Sequence, residues 1–459
     1  MDSVSAQILD NIKRQVVPPY LYAYPTRGAY RPHADIDVFD IWKTESAYTT
    51  DVINLYIHFP FCKYKCEYCN LYSIACLDID IQDKYIDALV KQIESYRDII
   101  ASRKIKTIFM GGGTPMLLSS ENFLKIVDAL NRVSSNWRSE IEEFCIESSP
   151  DSVAQASETE QLSCLLVNGI NRINIGIQSF RASDIKTMGR SYGETINIAA
   201  IKIMQKYGVQ NVSADLIAGF AGQTIDDWIF SVNAMVDLCP NTVSIHPLRI
   251  RPDSRLGQNK DNVKNPSSTY YEWYEAARKI MFKSGYHQET NIRFTNLGKG
   301  GYRQQNYQFK SYPILGIGAG ARTYTNVADY IIGGGYPAKI SQIDDYIERV
   351  QNGSLKIEKA YLMTDEERVR RLLVLNLYSF DLDVVHEKFG NQFDHLFINT
   401  LNTLVEHGLI KKEGHVYSFT HEGIKYRDII SWGFVSNEVS SLDETFYSSL
   451  IPALSENLI

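Results

Sequence analysis

The sequence predicts an α/β protein: a partial (β/α)6 TIM-like barrel, preceded by an N-terminal extension and followed by a mostly helical, winged-helix-like domain. Three observations lead there. From Val52 onward, short runs rich in apolar and β-branched residues alternate with amphipathic stretches of helical period, which argues for a parallel sheet with right-handed crossovers. The runs begin near Val52, Ile105, Glu142, Arg172, Asn211 and Asn241, about six units and too few for a closed eightfold barrel. After about residue 330 the rhythm changes, past the turn-rich Ile332-Gly-Gly-Gly-Tyr-Pro337. The expected divisions are an extension over 1–50, a barrel over 51–330 and an accessory domain over 331–459.

Residues 1–50 show little periodicity. Pro18-Pro-Tyr-Leu-Tyr-Ala-Tyr-Pro25 reads as extended chain, because prolines and the residues before them disfavour helix. In the barrel, helices are expected over Gln82–Ile100, Ser120–Val133, Thr195–Tyr207 and Asp226–Leu238. In the last part, helices are expected over Thr364–Leu377, Asp383–Phe389 and Gln392–His407, then a hairpin turning at Glu413-Gly414. Such an arrangement can bind DNA or act as a packing or lid domain. A net charge of -7 and no basic stripe beyond Arg368-Val-Arg-Arg371 favour the second, and no nucleic-acid partner is expected. No apolar run reaches the roughly 18 residues that span a bilayer, and no signal peptide is visible. Seven cysteines without a pairing pattern point to a reducing, cytoplasmic compartment.

The first strand runs into Tyr56-Ile-His-Phe-Pro-Phe-Cys62-Lys-Tyr-Lys-Cys66-Glu-Tyr-Cys69. Fe–S clusters are normally held by four thiolates; three on one short loop leave an iron open to bind a small molecule. A zinc site would pair this motif with a second knuckle or with histidines, and the sequence supplies neither. A disulfide framework fits small secreted chains, not 459 residues with an odd cysteine count. Cys145 and Cys164 lie in apolar patterns and read as buried small hydrophobes, while Cys76, just after the loop, is the one placed for a redox role. The spacing, with Tyr68 before the last cysteine, resembles the radical S-adenosylmethionine (SAM) enzymes. In those, the amino and carboxylate groups of SAM occupy the open iron, and one electron cleaves the sulfonium to methionine and a 5′-deoxyadenosyl radical.

Later strand ends carry polar groups. Gly111-Gly-Gly-Thr-Pro115 follows the second strand; its backbone N–H groups could converge on an anion, and its glycines permit close approach. The third ends at Glu147, an acceptor for ribose hydroxyls or an ammonium. Gln178 ends the fourth, with Arg190 soon after. The fifth carries Asp215 in an apolar run, where a lone carboxylate must be paired or bind a ligand. The sixth brings His246, Arg249 and Arg251, candidates for a carboxylated substrate or for salt bridges across the barrel mouth. Leu315-Gly-Ile-Gly-Ala-Gly-Ala321 lacks the context of a dinucleotide fold and reads as backbone lining a second small-molecule pocket. His58 reads as a structural hydrogen-bonding residue beneath the cluster.

Taken with the Tyr56–Cys62 run, Gly111–Pro115, Gly169–Phe180, Met188-Gly-Arg190, Asp215-Leu-Ile-Ala-Gly-Phe, Leu315–Ala321 and Phe419-Thr-His-Glu-Gly423 resemble the oxygen-independent coproporphyrinogen III oxidase family. The resemblance implies a 4Fe-4S cluster on Cys62, Cys66 and Cys69. It places SAM among Tyr56, Tyr68, Gly112, Gly113, Thr114, Glu147, Gln178, Arg190 and Asp215, and a second SAM near Gly318 and Ala319. It also implies a small-molecule substrate and a reductant such as flavodoxin or ferredoxin, in a monomer. Oxidases of this family carry a further cysteine two residues after the third; here Leu71 stands there. Haem chaperones of the family also lack it but usually start almost at the cysteine motif. Cys69-Asn-Leu-Tyr, Pro247-Leu-Arg-Ile-Arg-Pro252 and Gly320-Ala-Arg-Thr-Tyr-Thr325 resemble the class C radical SAM methylases and cyclopropanases. The resulting expectation is transfer of a methyl or methylene group from a second SAM to an sp2 carbon, with His246 and Tyr324 as candidate bases. Coproporphyrinogen oxidation and haem chaperoning stand as the alternatives.

Overall fold

The computed structural model describes residues 2–33, 36–48, 51–250, 254–258, 269–296, 298, 300–334 and 338–450. Arg251 and Pro252 of the basic run, and Gly335–Pro337 of the expected break, lie outside the described residues. Six parallel strands follow the order of the chain: β1 (Val52–Phe59), β2 (Lys104–Gly112), β3 (Glu143–Ser148), β4 (Arg172–Gln178), β5 (Asn211–Ala218) and β6 (Thr242–Pro247). Among the described residues the sheet has nine strands. Beyond β6 lies the antiparallel pair β7 (Tyr286–Gln288) and β8 (Arg293–Asn296), with β8 next to β6. On the far edge β9 (Ile314–Ile317) runs parallel to β1. The strand with the cysteine loop is therefore flanked by the two strands that end in glycine runs.

Alternation on β1 explains the layering. Ile53, Leu55, Ile57 and Phe59 are buried in one core with Ile86, Leu89 and Ile93 of the helix Ile79–Ser95. Each such side chain stabilises the fold by roughly 1.5–3 kcal/mol. Asn54, Tyr56 and His58 take the other face, inside the barrel. Deep inside, Thr107 donates to Asn54 Oδ1 at 2.7 Å, and Arg172 reaches Cys145 Sγ at 3.3 Å, Ser213 Oγ at 3.1 Å and Glu143 at 3.8 Å. The interior is thus a polar network rather than stacked aliphatic layers.

Helices start where side chains cap them: Asp78 accepts from Ile81 N, Ser119 from Asn122 N, and Thr224 and Asp227 form a capping box. The observed Ser120–Val133, Glu194–Lys206 and Ile225–Asp237 lie within a few residues of expectation, while the expected Gln82–Ile100 helix is two, Ile79–Ser95 and Arg97–Ala101, separated by non-helical Tyr96 (ψ 12°). The crossover from β3 to β4 holds two further short helices, Pro150–Glu158 and Gln161–Val167.

The extension differs from expectation. Ser3–Lys13 and Val38–Glu45 are helices, capped by Asp2 and Asp37. They are short, 11 and 8 residues, so the helical period has only about two or three turns in which to show. Ile8, Leu21, Tyr24 and Tyr30 join a second core with Leu373, Leu401, Ile410 and Ile430. The extended segment between the two helices is strapped down. Arg249 donates to Val17 O and Pro18 O, Trp432 Nε1 to Pro19 O at 2.8 Å, Arg427 to Leu21 O at 2.5 Å and Arg371 to Tyr24 O at 2.8 Å.

Downstream, Asp365–Asn376 and Leu382–Phe389 match expectation. The expected Gln392–His407 helix is instead a 3-10 turn, Asp394–Leu396, and a helix, Ile398–Glu406, separated by non-helical Phe397 (φ -147°). The hairpin pairs Ile410–Glu413 with Val416–Phe419, so it turns at Gly414-His415, one residue later than expected. Phe380–Asp381 adds a third strand to it.

Candidate functional site

The cysteine loop leaves β1 at the C-terminal end of the parallel sheet. Phe61–Cys62 pairs with Ile74–Ala75, Ile74 N donates to Pro60 O at 2.7 Å, and Cys76 N to Cys62 O at 3.0 Å. Lys65 Nζ ties the loop from within, donating to Leu71 O (2.6 Å), Ser73 Oγ (2.6 Å) and Ser73 O (3.2 Å). His58 supports it from below: its Nε2 meets Tyr72 O at 2.8 Å and its Nδ1 meets Tyr56 Oη at 3.0 Å. Burial holds His58 down to about 4, so it is neutral. The structural role expected for it is the one it has. All three cysteines are partly accessible and unpaired. Among the described residues, no three His, Cys, Asp or Glu side chains are arranged to hold a single metal ion. A cubane makes no such demand, because each thiolate binds a different iron.

The Gly111–Thr114 run is wedged against this loop. Gly113 N donates to Phe59 O at 2.7 Å, Thr114 N to Phe61 O at 2.8 Å and Gly112 N to Glu147 Oε2 at 2.8 Å. A Cβ on Gly113 would lie 2.4 Å from Phe61 O, and one on Gly112, at φ +108°, 2.3 Å from the His58 ring. These glycines therefore permit close approach. Their amides are spent inside the protein, which corrects the expectation that they converge on an anion.

Glu147 lies against Gly111, whose added Cβ would sit 2.7 Å from Glu147 Oε2. Burial pushes the carboxyl up to about 7; the Gly112 N–H opposes that and the charge of Asp215 adds to it. Gln178 takes a left-handed φ of +71° where the β4–β5 register shifts, and its Oε1 is buried without a partner. Strain of this kind gathers at functional sites. Arg190 donates to Gly176 O (2.5 Å) and Tyr192 Oη (2.6 Å), and its Nε is also buried without a partner. Tyr68 packs edge-on to Phe220 at 6.5 Å, and burial raises its pKa well above the ordinary value. Orphaned acceptor and donor atoms beside a three-thiolate loop fit the cluster and a zwitterionic ligand such as SAM.

Asp215 is paired, but only partly: Asn174 Nδ2 donates to its Oδ2 at 2.9 Å. On the next strand His246 is held neutral by burial, against the opposing pull of Asp215, with the Tyr20 ring edge-on at 6.1 Å. Tyr324 bridges to Ile314 of β9, the strand that pairs with β1 beside Tyr56. Gly318 and Ala319 lie behind β1. Their amides bond to Gln92 Oε1 (2.8 Å) and Tyr85 Oη (3.0 Å), so neither N–H is available to a second SAM.

Sequence reasoning missed several lining residues. Tyr302 stacks on Phe109 at 5.3 Å, and Phe109 on Tyr56 at 6.0 Å, with Arg172 4.2 Å over Tyr302. Tyr20 enters from the N-terminal strap. No local motif marks Tyr302; the density of tyrosines in the extension was the available signal for Tyr20.

Comparison with known proteins agrees with this geometry. The family profile of the radical SAM superfamily matches residues 56–234. The haem chaperone HemW of Bacillus subtilis is 29% identical over 376 residues, 80% of this chain and 95% of that protein. The oxygen-independent coproporphyrinogen III oxidase of Pseudomonas aeruginosa is 24% identical over 430 residues, 88% of this chain and 90% of that protein. Among solved structures, the Escherichia coli coproporphyrinogen III oxidase HemN superposes with a TM-score of 0.75 at 20% identity, covering 93% of this chain and 98% of that one. The fold is thus that of HemN. These relatives favour the oxidase and chaperone alternatives over the methyl transfer expected from the motifs.

Proposed function

We propose that this chain, whose residues 56–234 match the radical SAM family model and which has coproporphyrinogen III oxidase-like relatives, is a radical SAM enzyme that acts on a carboxylate-bearing tetrapyrrole. The observation that carries the reading is the contact of the cysteine loop with Gly111–Thr114, beside the partly accessible side chains of Tyr56, Glu147, Asp215 and His246 on neighbouring strands. Cys62, Cys66 and Cys69 would hold the 4Fe-4S cluster. Tyr56, Tyr68, Gly112, Gly113, Thr114, Glu147, Gln178, Arg190 and Asp215 would surround SAM. Bound there, cluster and SAM together supply one-electron cleavage of a C–S bond and removal of a substrate hydrogen atom.

The chain's own residues orient and shield. Gly113, lacking a Cβ, lets the glycine run close against the cysteine loop. The partnerless Gln178 Oε1 accepts and the partnerless Arg190 Nε donates towards the ligand. Glu147, near pH 7 in its titration, accepts from hydroxyls when charged and can return a proton when neutral. His246 is a neutral base on β6, and Tyr324 a neutral donor. Tyr20 and Tyr22 keep bulk water from the reacting centre. No helix among the described residues is long and apolar enough to cross a membrane. We take the protein to be a cytoplasmic monomer served by a flavodoxin- or ferredoxin-type reductant.

Oxygen-free reconstitution, reduction and incubation with coproporphyrinogen III and CD3-labelled SAM tests this. Release of carbon dioxide with 5′-deoxyadenosine supports the proposal. Label in the product with S-adenosylhomocysteine returns the case to methyl transfer by two SAM molecules. Tight haem uptake without SAM turnover makes the protein a chaperone.

A further inference from the structure

We propose that Arg322 is a substrate-binding residue, which takes a carboxylate arm of the substrate beside the rings of Tyr22 and Tyr324. The proposal builds on the reading of the protein as one that takes an acidic tetrapyrrole. It starts from charge. Buried guanidinium groups are costly without a counter-ion. Arg278 faces Glu275 at 2.6 Å, Arg293 faces Glu289 at 3.2 Å, Arg371 faces Asp329 at 2.7 Å and Arg427 faces Asp428 at 2.6 Å. Arg322 has no such partner among the described residues.

Its hydrogen bonds go to neutral groups: one terminal nitrogen to Tyr22 Oη at 3.3 Å, the other to Tyr30 Oη at 3.0 Å and Pro25 O at 3.4 Å. Its Nε is buried without a partner. Asp329, seven residues on, is already committed: it accepts from Arg371, from Thr325 N at 3.1 Å and from Tyr30 Oη at 3.5 Å. Two guanidinium groups thus share one carboxylate, which leaves one positive charge over. The rings of Tyr22, Tyr30 and Tyr324, 5.0–5.9 Å from its Cζ, offset that charge only in part.

Position turns the excess charge into a site. The Arg322 backbone lies against Gly316, whose added Cβ would sit 2.7 Å from Arg322 O, and Gly316 pairs with Tyr56 on the strand that carries the cysteine loop; Tyr324 bridges back to Ile314 of the same edge strand. Tyr22 is 45% exposed, and the hydrogen bond it accepts from Arg322 is open to solvent. A carboxylate arriving there would receive a charge-assisted hydrogen bond and the tyrosine hydroxyl together. The rest of the substrate would then extend along the tyrosines towards Glu147.

The test uses the full-length protein with its cluster reconstituted, as wild type, Arg322→Gln and Arg322→Lys. The probes are coproporphyrin III, its tetramethyl ester and 3-phenylpropionate. Arg322→Gln is expected to weaken the tetra-acid roughly tenfold to a hundredfold, the worth of one charged hydrogen bond, and to leave the ester unchanged. Arg322→Lys should recover part of the loss. Unchanged affinity for the acid, or equal losses for acid and ester, would overturn the proposal and leave the tetrapyrrole reading intact. Failure of the wild type to bind either porphyrin would sink that reading instead. The small acid then decides on Arg322. A rise in thermal midpoint with 3-phenylpropionate in wild type but not in Arg322→Gln supports the proposal; an equal rise or none overturns it.

Discussion

Gly112 and Gly318 stand on the strands either side of β1 with nearly the same left-handed φ, +108° and +104°. Both press on His58: a Cβ at 112 would strike its ring at 2.3 Å, and one at 318 its carbonyl oxygen at 2.7 Å. Yet they serve opposite sides of the strand. The run around Gly112 touches Glu147 and the cysteine loop. The run around Gly318 backs onto Tyr85, Gln92 and, through Gln92, Tyr346. The same sequence signal therefore marks a ligand-side wedge in one place and a packing wedge in the other. Which it is depends on where the amides go and what lies beyond them.

The largest effect should come from the loop both runs hold. Replacing Cys62, Cys66 or Cys69 singly by alanine is expected to abolish the cluster's absorbance and dithionite-dependent paramagnetic signal, and SAM cleavage with them. The retained cubane of any one variant would dismiss that cysteine as a ligand.

Next comes a direct contrast between the glycine runs. Gly318→Ala forces a Cβ into backbone at positive φ and should cost about 1–3 kcal/mol in thermal or denaturant unfolding, with SAM affinity in the surviving protein unchanged. Gly111→Ala, at an ordinary φ, should change stability less. Its Cβ would land on Glu147 and Phe109, so equilibrium binding should show weakened SAM. Exchanged phenotypes would reverse the assignment of the two faces.

Glu147 gives a pH signature. Its carboxyl titrates near 7 in the fold against an ordinary 4.5. The folded state thus favours the protonated acid. That contribution is complete below about pH 4.5 and is lost as pH rises through 7. Without ligand, stability should fall over this window by about 1–2 kcal/mol; part of the side chain is accessible, so the full shift is not realised. Glu147→Gln should flatten the dependence in urea titrations across pH 4.5 to 8.

The smallest effect concerns the packing side. Tyr85 Oη donates to His58 O at 2.7 Å and accepts from Ala319 N at 3.0 Å. Tyr85→Phe should cost about 1–2 kcal/mol and leave the SAM dissociation constant within error. A large loss of SAM binding would show that the two sides of β1 communicate.

The barrel was largely legible from sequence because its strands and helices carry strong, opposite periodicities. The cysteines were legible because spacing along one loop is a local property. The short helices Pro150–Glu158 and Ser3–Lys13 were missed, having only about two or three turns in which to show a period. The single-helix expectation over Gln392–His407 failed at Phe397, whose backbone angle no composition signal encodes. Asp215 posed a correct dilemma, since it had to find a partner, but only the fold shows that Asn174 supplies it. The aromatic lining was the least legible part. Tyr20, Tyr302 and Tyr324 come from three distant stretches, and nothing in their own neighbourhoods says that they meet.

The strap that carries Tyr20 and Tyr22 is made first by the ribosome but fastened by Arg249 in mid-chain and by Arg371, Arg427 and Trp432 near the end. A nascent chain therefore has its cysteine loop complete before the strap is fully fastened. In the finished fold the wall that Tyr20 and Tyr22 form is held from the far end of the chain, so loss of the last helices would open it.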